Sequence, residues 1–401
     1  MPSLARFSTV AVGLSLSYRT YRTYKSYRSY SSFRSLSSFA SLAALVLLAG
    51  CATTKTPPIT SLRDAKTPVW SAKAVPGEMI VSVSPAGKSL RIAGSAGLVL
   101  GAGADAVVNA QYRKPIQDAL QGYDTTAVYK ESIAKRLSAA LPQGIAEASP
   151  LGSTAGVSNK SDAEKIRYEA LAKKGSDAAL DLTLTYGIYG PEGILAARVG
   201  GKAVVLATGK RLWMDTLVVT TDPVLANAAL GDPTNRLGMN VSDPDFTVDD
   251  KKVARWTADG GAELKKRFET AANGAAAALV CDLGLAQDAV GEYYLGKLRL
   301  NEKKFKPAGE HFRKAVELDP NFVDARNAHA VVLARHGQLD DAIASARQIV
   351  ESNPEYGPAW FNLAYWYAVK KKDPASAAPC YEKAQALGMA SDRRIEKSLK
   401  K

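Results

Sequence analysis

Cysteine and histidine are both scarce, three of each in 401 residues. Cys51, Cys281 and Cys380 are spaced for neither a dense disulfide framework nor a metal knuckle. Three histidines without neighbouring Cys or acidic ligands at the right spacing define no metal centre. Histidine-based catalysis lacks material too. Ala93-Gly-Ser95-Ala-Gly97 approximates a nucleophile elbow, but His311, His329 and His336 all lie in the last quarter of the chain. Ser132-Ile-Ala-Lys135 satisfies an SxxK spacing without any KTG or SDN partner. Gly101-Ala-Gly103-Ala-Asp-Ala106 fits a loose dinucleotide fingerprint, yet the next residues read as helix, not as the second strand of a parallel βαβ unit. Neither an enzyme nor a bound cofactor or metal is expected.

Acid is missing from the first 50 residues, which hold Arg6, Arg19, Arg22, Lys25, Arg28 and Arg34. They account for about half of the formal charge of +13. Elsewhere the basic runs are short, as at Lys370–Lys372 and Lys397–Lys401, and read as solvated faces; no nucleic acid is expected as a partner. The apolar stretch Phe39–Leu48 is too short to span a bilayer and suits the core of an export signal over 1–50. Upstream of it, Tyr18, Tyr21, Tyr24, Tyr27, Tyr30 and Phe33 recur every three residues, a period of neither helix nor strand, and form a low-complexity leader.

Leu48-Ala49-Gly50-Cys51 resembles the bacterial lipobox. The resemblance implies lipidation of Cys51 with acyl chains such as palmitate, an anchor made effectively permanent by two or three chains. Ala52, where a retained lipoprotein would carry Asp, implies the periplasmic face of the outer membrane. Residues 51–71, rich in Thr, Pro, Lys and Ser, read as a tether.

Over 72–284 the pattern is strand, helix, strand, helix, then three strands. A strand is expected over Met79–Ser84, a helix over Thr125–Leu141 capped by Asp124, and a short strand over Gly144–Leu151. A further helix opens at the capping box Ser161-Asp162-Ala163-Glu164. Leu180, Leu182, Leu184, Tyr186 and Ile188 alternate with polar residues and start an antiparallel meander continued by Ile194–Ala207 and Leu212–Thr220. The Gly- and Ala-rich stretch 92–110 either packs helices closely or faces a membrane. Asp222–Asp250 reads as a long loop, and an alanine-rich helix over Gly261–Leu283 joins this domain to the C-terminal quarter of the chain. The fold class is thus α+β, a mixed-sheet α/β sandwich with helices on one face, followed by an all-α solenoid. In element order, residues 75–220 look like the periplasmic domain of several envelope lipoproteins: the penicillin-binding-protein activator, the curli secretion lipoprotein and the amino-terminal domain of TolB.

Pro320 and Pro354 lie 34 residues apart, and Ala308 with Ala342, Phe305 with Leu339, Phe312 with Ala346 and Ala315 with Ile349 repeat at that offset. Leu295-Gly296 recurs as Leu363-Ala364 beside Trp360 and Tyr367. This pattern resembles the tetratricopeptide repeat, with units at 289–322, 323–356 and 357–390 and a capping helix over 391–401, in a domain spanning 285–401. Lys303 replaces a turn glycine, Ala346 replaces an aromatic, and the third unit carries an extra residue near Asp373-Pro374. The resemblance implies a concave groove lined by the first helix of each unit. Tyr293, Lys297, Asn301, Asn327, Val331, Arg335, Phe361 and Tyr365 are its expected partner-binding residues, aromatics anchoring and polar groups holding backbone carbonyls of a protein or peptide.

Together these readings describe a lipid-anchored, non-enzymatic scaffold in envelope assembly, secretion or wall synthesis. The alternatives are a structural subunit of an outer-membrane secretion complex, with 92–110 at the membrane, and an envelope hydrolase.

Overall fold

The structure is a computed structural model that describes residues 58–76, 110–150, 160–189, 194–228 and 250–400. The expected export signal and Cys51, the strand expected over Met79–Ser84, and most of 92–110 with its two glycine motifs lie outside the described residues.

Five strands form one mixed sheet in the order β2-β1-β3-β4-β5: β1 (Pro68–Pro76), β2 (Ala146–Glu147), β3 (Ala178–Tyr189), β4 (Ile194–Val205) and β5 (Arg211–Thr220). β1 runs parallel to both β2 and β3, while β3, β4 and β5 form the expected antiparallel meander. β1 corrects the reading of 51–71 as tether. Leu62, Ala65 and Trp70 are core residues, and Pro68–Ser71 is already strand. The short apolar segment around Val69-Trp70 carries no clear alternation, because a strand flanked on both sides shows little polar face.

One sheet face, with Trp70, Leu180, Leu182, Leu184, Tyr186 and Ile188, carries the main core. α1 (Thr125–Ala140) covers it with Tyr129, Ile133 and Leu137; the Asp124 carboxylate caps it by accepting from the Ala127 N–H at 2.9 Å. Tyr129 stacks on Tyr186 at 4.7 Å between centroids, and Phe268 meets the same ring edge-on. Phe268 belongs to α3 (Asp250–Asp282), in which Asp259, Gly260 and Gly261 adopt left-handed backbone, so its long straight part begins after Gly261. α2 (Lys160–Lys173) corrects the expectation of helices on one face only. It lies on the opposite face, where Tyr168 and Leu171 pack over Val69, Ala179 and Val204. Arg167 and the Tyr168 hydroxyl both donate to the Asp181 carboxylate on β3, and Lys202 on β4 pairs with Glu164. Asp181 is one of the polar residues that alternate with the apolar ones along β3, and α2 covers it.

Three helix pairs form the C-terminal array: α4 (Ala289–Asn301) with α5 (Phe305–Leu318), α6 (Val323–Arg335) with α7 (Leu339–Ser352), and α8 (Gly357–Tyr365) with α9 (Pro374–Ala386), closed by α10 (Arg393–Leu399). Small residues set their spacing. A Cβ on Gly296 would lie 2.6 Å from the Phe312 ring, which is why the second helix can approach so closely. The extra residue of the third unit is absorbed upstream of its expected place, in a π-helical turn over Trp366–Lys371 that ends on Lys372 at φ 57°. The fold is α+β, a five-stranded mixed sheet followed by a helical repeat array.

Candidate functional site

The concave groove of the array is filled by the chain itself. After β5, Thr221 makes one more exchange with β4, its N–H donating to Leu195 O at 3.0 Å and its hydroxyl accepting from the Leu195 N–H at 3.1 Å. The chain then leaves the sheet, and residues 222–228 run along the first helices of the three pairs.

Each contact has a plain chemical logic. Lys297 on α4 is almost wholly buried, and its ammonium group donates to Thr220 O at 2.7 Å, to Asp222 O, and to the Asp222 carboxylate at 3.3 Å. Three donors meet three acceptors, so the buried charge is fully satisfied. The same ammonium lies 5.7 Å from the centroids of both Tyr293 and Tyr294. Asn327 on α6 donates to Val224 O at 2.9 Å, and Asn362 on α8 accepts from the Ala226 N–H at 2.7 Å while donating to the Asn327 side chain at 2.8 Å. Both asparagines are fully buried. Val224 is the one buried residue of the segment; its neighbours are half-exposed. At the far end Asn227 donates to Asp392 at 2.7 Å, and Arg335 Nη2 donates to Ala228 O at 3.2 Å. Most of these bonds go to main-chain groups, which any peptide offers.

The electrostatics follow burial. Tyr293 and Tyr356 are held well above the ordinary tyrosine range by burial, reinforced by the nearby Asp324 carboxylate, which accepts from the Tyr356 hydroxyl at 2.6 Å. Burial also lowers Arg335. At Asp392 burial pushes the carboxyl up, but hydrogen bonds from Arg394 and Asn227 outweigh it and leave it below the usual range.

The expected groove residues are thus located as follows. Tyr293, Lys297, Asn327, Val331, Phe361 and Tyr365 are buried, and Asn301 and Arg335 are half-buried. Lys297, Asn327 and Arg335 hold the segment directly; Tyr293 packs against Phe312 and Phe322, and Tyr365 lies beneath the Arg394 guanidinium at 5.0 Å. Asn362, Asp392 and Arg394 were missed. Projection by 34 residues from Asn327 selects Phe361, whereas the neighbouring Asn362 is the side chain that reaches Asn327 across the helix pair.

The remaining chemical candidates stay apart. Ser132 and Lys135 sit on α1, while His311 on α5 engages Glu292 at 2.6 Å, and His329 and His336 lie on α6 and at its C-cap. Cys281 and Cys380 are free thiols, and burial pushes Cys281 up to about 12. Among the described residues no group of three or more His, Cys, Asp or Glu is placed to hold a metal ion.

The profile of the tetratricopeptide repeat matches residues 293–322 and again residues 311–344. The C-terminal region consists of tetratricopeptide repeats. No curated protein matches the chain. Among solved structures, YrrB, described as a TPR protein with an unusual peptide-binding site, is similar at 21% identity over 37% of this chain and 79% of its own, with a TM-score of 0.27. The tetratricopeptide helices here are the ones whose inner surface carries the segment 222–228.

Proposed function

We propose that this chain is a lipid-anchored cell-envelope protein whose tetratricopeptide groove binds extended peptide segments of protein partners, as a scaffold without catalytic activity. The observation that carries the reading is the manner in which residues 220–228 are held. Lys297, Asn327, Asn362 and Arg335 address main-chain carbonyls and an N–H along this segment, the chemistry by which a groove takes a peptide. The Leu48-Ala-Gly-Cys51 ending supports the lipid anchor, and Ala52 supports the periplasmic face of the outer membrane. The strand and helix order of the middle domain supports a place among envelope lipoproteins in assembly, secretion or wall synthesis.

Two measurements test this. Mass spectrometry of the mature product should find a diacylglyceryl thioether on Cys51, and Cys51→Ser should release the protein from membranes; an unmodified thiol refutes the anchor. A photoreactive residue at position 228, at the groove rim, should crosslink in cells to a second protein. Crosslinks confined to this chain would refute partner binding in the groove.

A further inference from the structure

Among the described residues, Arg335 is the groove cation whose demand the resident segment leaves unmet. Its Nη2 donates to Ala228 O at 3.2 Å, while Nε, on the same edge of the guanidinium, is buried without a hydrogen-bond partner. No described carboxylate pairs with the charge: the Phe305 ring lies 5.8 Å away, and the Tyr365 phenol is close enough to interact with it. A guanidinium edge presenting Nε and Nη2 together matches the two oxygens of a carboxylate, and a single carbonyl engages half of it. Lys297 shows the contrasting case at the other end of the groove, where the Asp222 carboxylate lies 3.3 Å from the ammonium.

We propose that Arg335 is the anchor for an acidic side chain of the groove's partner, and that residues 222–228 are a resident pseudo-ligand lacking that acid. The inference rests on the groove being a peptide site and adds the chemistry of the peptide: a segment with one acidic residue at the Lys297 end and a second about six positions later, where this chain turns and has Ala228, its N–H donating to Leu225 O at 3.2 Å. A side chain is favoured over a terminal carboxylate, because the resident segment does not end at Ala228, the residue that Arg335 contacts. Such a partner would displace the segment by completing the fork. The segment is displaceable in kind, since seven of its eight residues from Thr221 to Ala228 are half-exposed and most of its bonds are made by main-chain groups.

The test has two arms on the full chain. In the first, Ala228→Glu supplies the missing acid in cis and should raise Tm by roughly 2–4 °C, a gain that disappears when Arg335→Gln is combined with it. No gain, or a gain that survives Arg335→Gln, overturns the assignment of Arg335. In the second, fluorescent peptides spanning 219–229 are titrated onto chains whose resident segment is weakened by Val224→Ser or, should that variant fold poorly, Asn227→Ala. The peptide with Glu at position 228 should bind about tenfold tighter than the native sequence, and Arg335→Gln should erase the difference. A peptide ending at Ala228 with a free carboxylate that binds tighter than the Glu peptide would overturn the side-chain assignment. Failure of every peptide to bind, with the Tm gain intact, would refute the groove as a peptide site while leaving the Arg335 fork standing.

Discussion

Asn362 was not among the residues expected to line the groove, yet it joins the segment to the second helix pair. It accepts from Ala226 N–H and donates to Asn327, and it is fully buried. Asn362→Ala strands a buried N–H and the Asn327 carbonyl, and is expected to lower stability by about 1–3 kcal/mol in chemical denaturation. Asn362→Asp keeps the acceptor but loses the donor and brings a buried charge, so it should be at least as damaging. Lys303 makes the opposite case. It occupies the turn position where the repeat usually has glycine, and its φ is 62°. Relief of left-handed strain offsets the entropy of glycine, so Lys303→Gly should stabilise by about 0.5–1 kcal/mol, read from the denaturant midpoint.

Among the elements, α3 binds the two halves together. Its alanines Ala271, Ala272, Ala275, Ala276 and Ala278 are almost completely buried, and it lies between the sheet and α4. A helix buried on several sides needs small residues wherever a neighbouring helix approaches, and Gly274 marks the closest approach, where a Cβ would overlap the Tyr294 ring. Gly274→Ala would stabilise an isolated helix by up to about 1 kcal/mol. Here the expected sign is reversed, a loss of about 1–3 kcal/mol by overpacking, and calorimetry of the purified variant checks it. The alanine-rich composition made the helix legible; the contact that gives Gly274 its role was not, because Tyr294 belongs to another element. The π-helical turn over Trp366–Lys371 tells a similar story. The extra residue was visible as a break in the 34-residue period, but its location depended on how α8 packs, and it was absorbed upstream of the proline that seemed to mark it.

At the scale of the whole molecule, one continuous hydrophobic core joins the sheet, α3 and the repeats, and the segment 222–228 crosses between them. Sheet and array are therefore expected to unfold in a single calorimetric transition. Val224→Asp, which puts a charge at the buried point of the crossing, should split that transition or lower it sharply. On the acid limb His329 supplies an upper step, and Asp392, together with Asp64, Glu302 and Asp373, all held below their ordinary values, a lower one. Burial holds His329 below its ordinary value of 6.5, so its contribution is complete above that pH and fades as pH falls through the folded value. Asp392 lies below 3.8, so its contribution is present above that pH and is lost as pH falls further. Stability should thus decline in two stages on acidification, and His329→Gln should flatten the upper one, measured as Tm against pH.

Local pattern was enough to announce the helix pairs, the antiparallel meander and the capped helix at Thr125, because periodicity and capping act within a few residues of the chain. It also singled out Lys297, Asn327 and Arg335, which were expected to hold a partner's backbone and which in the structure hold the chain's own. What occupies the groove was decided by the fold. Residues 222–228 have the composition of a loop, with no period of their own; beyond one local turn, they take their path from side chains roughly 70 to 170 positions away that offer donors and acceptors in the right order. The strand at Pro68 and the second covered face of the sheet had the same origin. A segment flanked on both sides, or a polar face covered by Arg167 and Glu164 of α2, shows its neighbours only when the chain has folded.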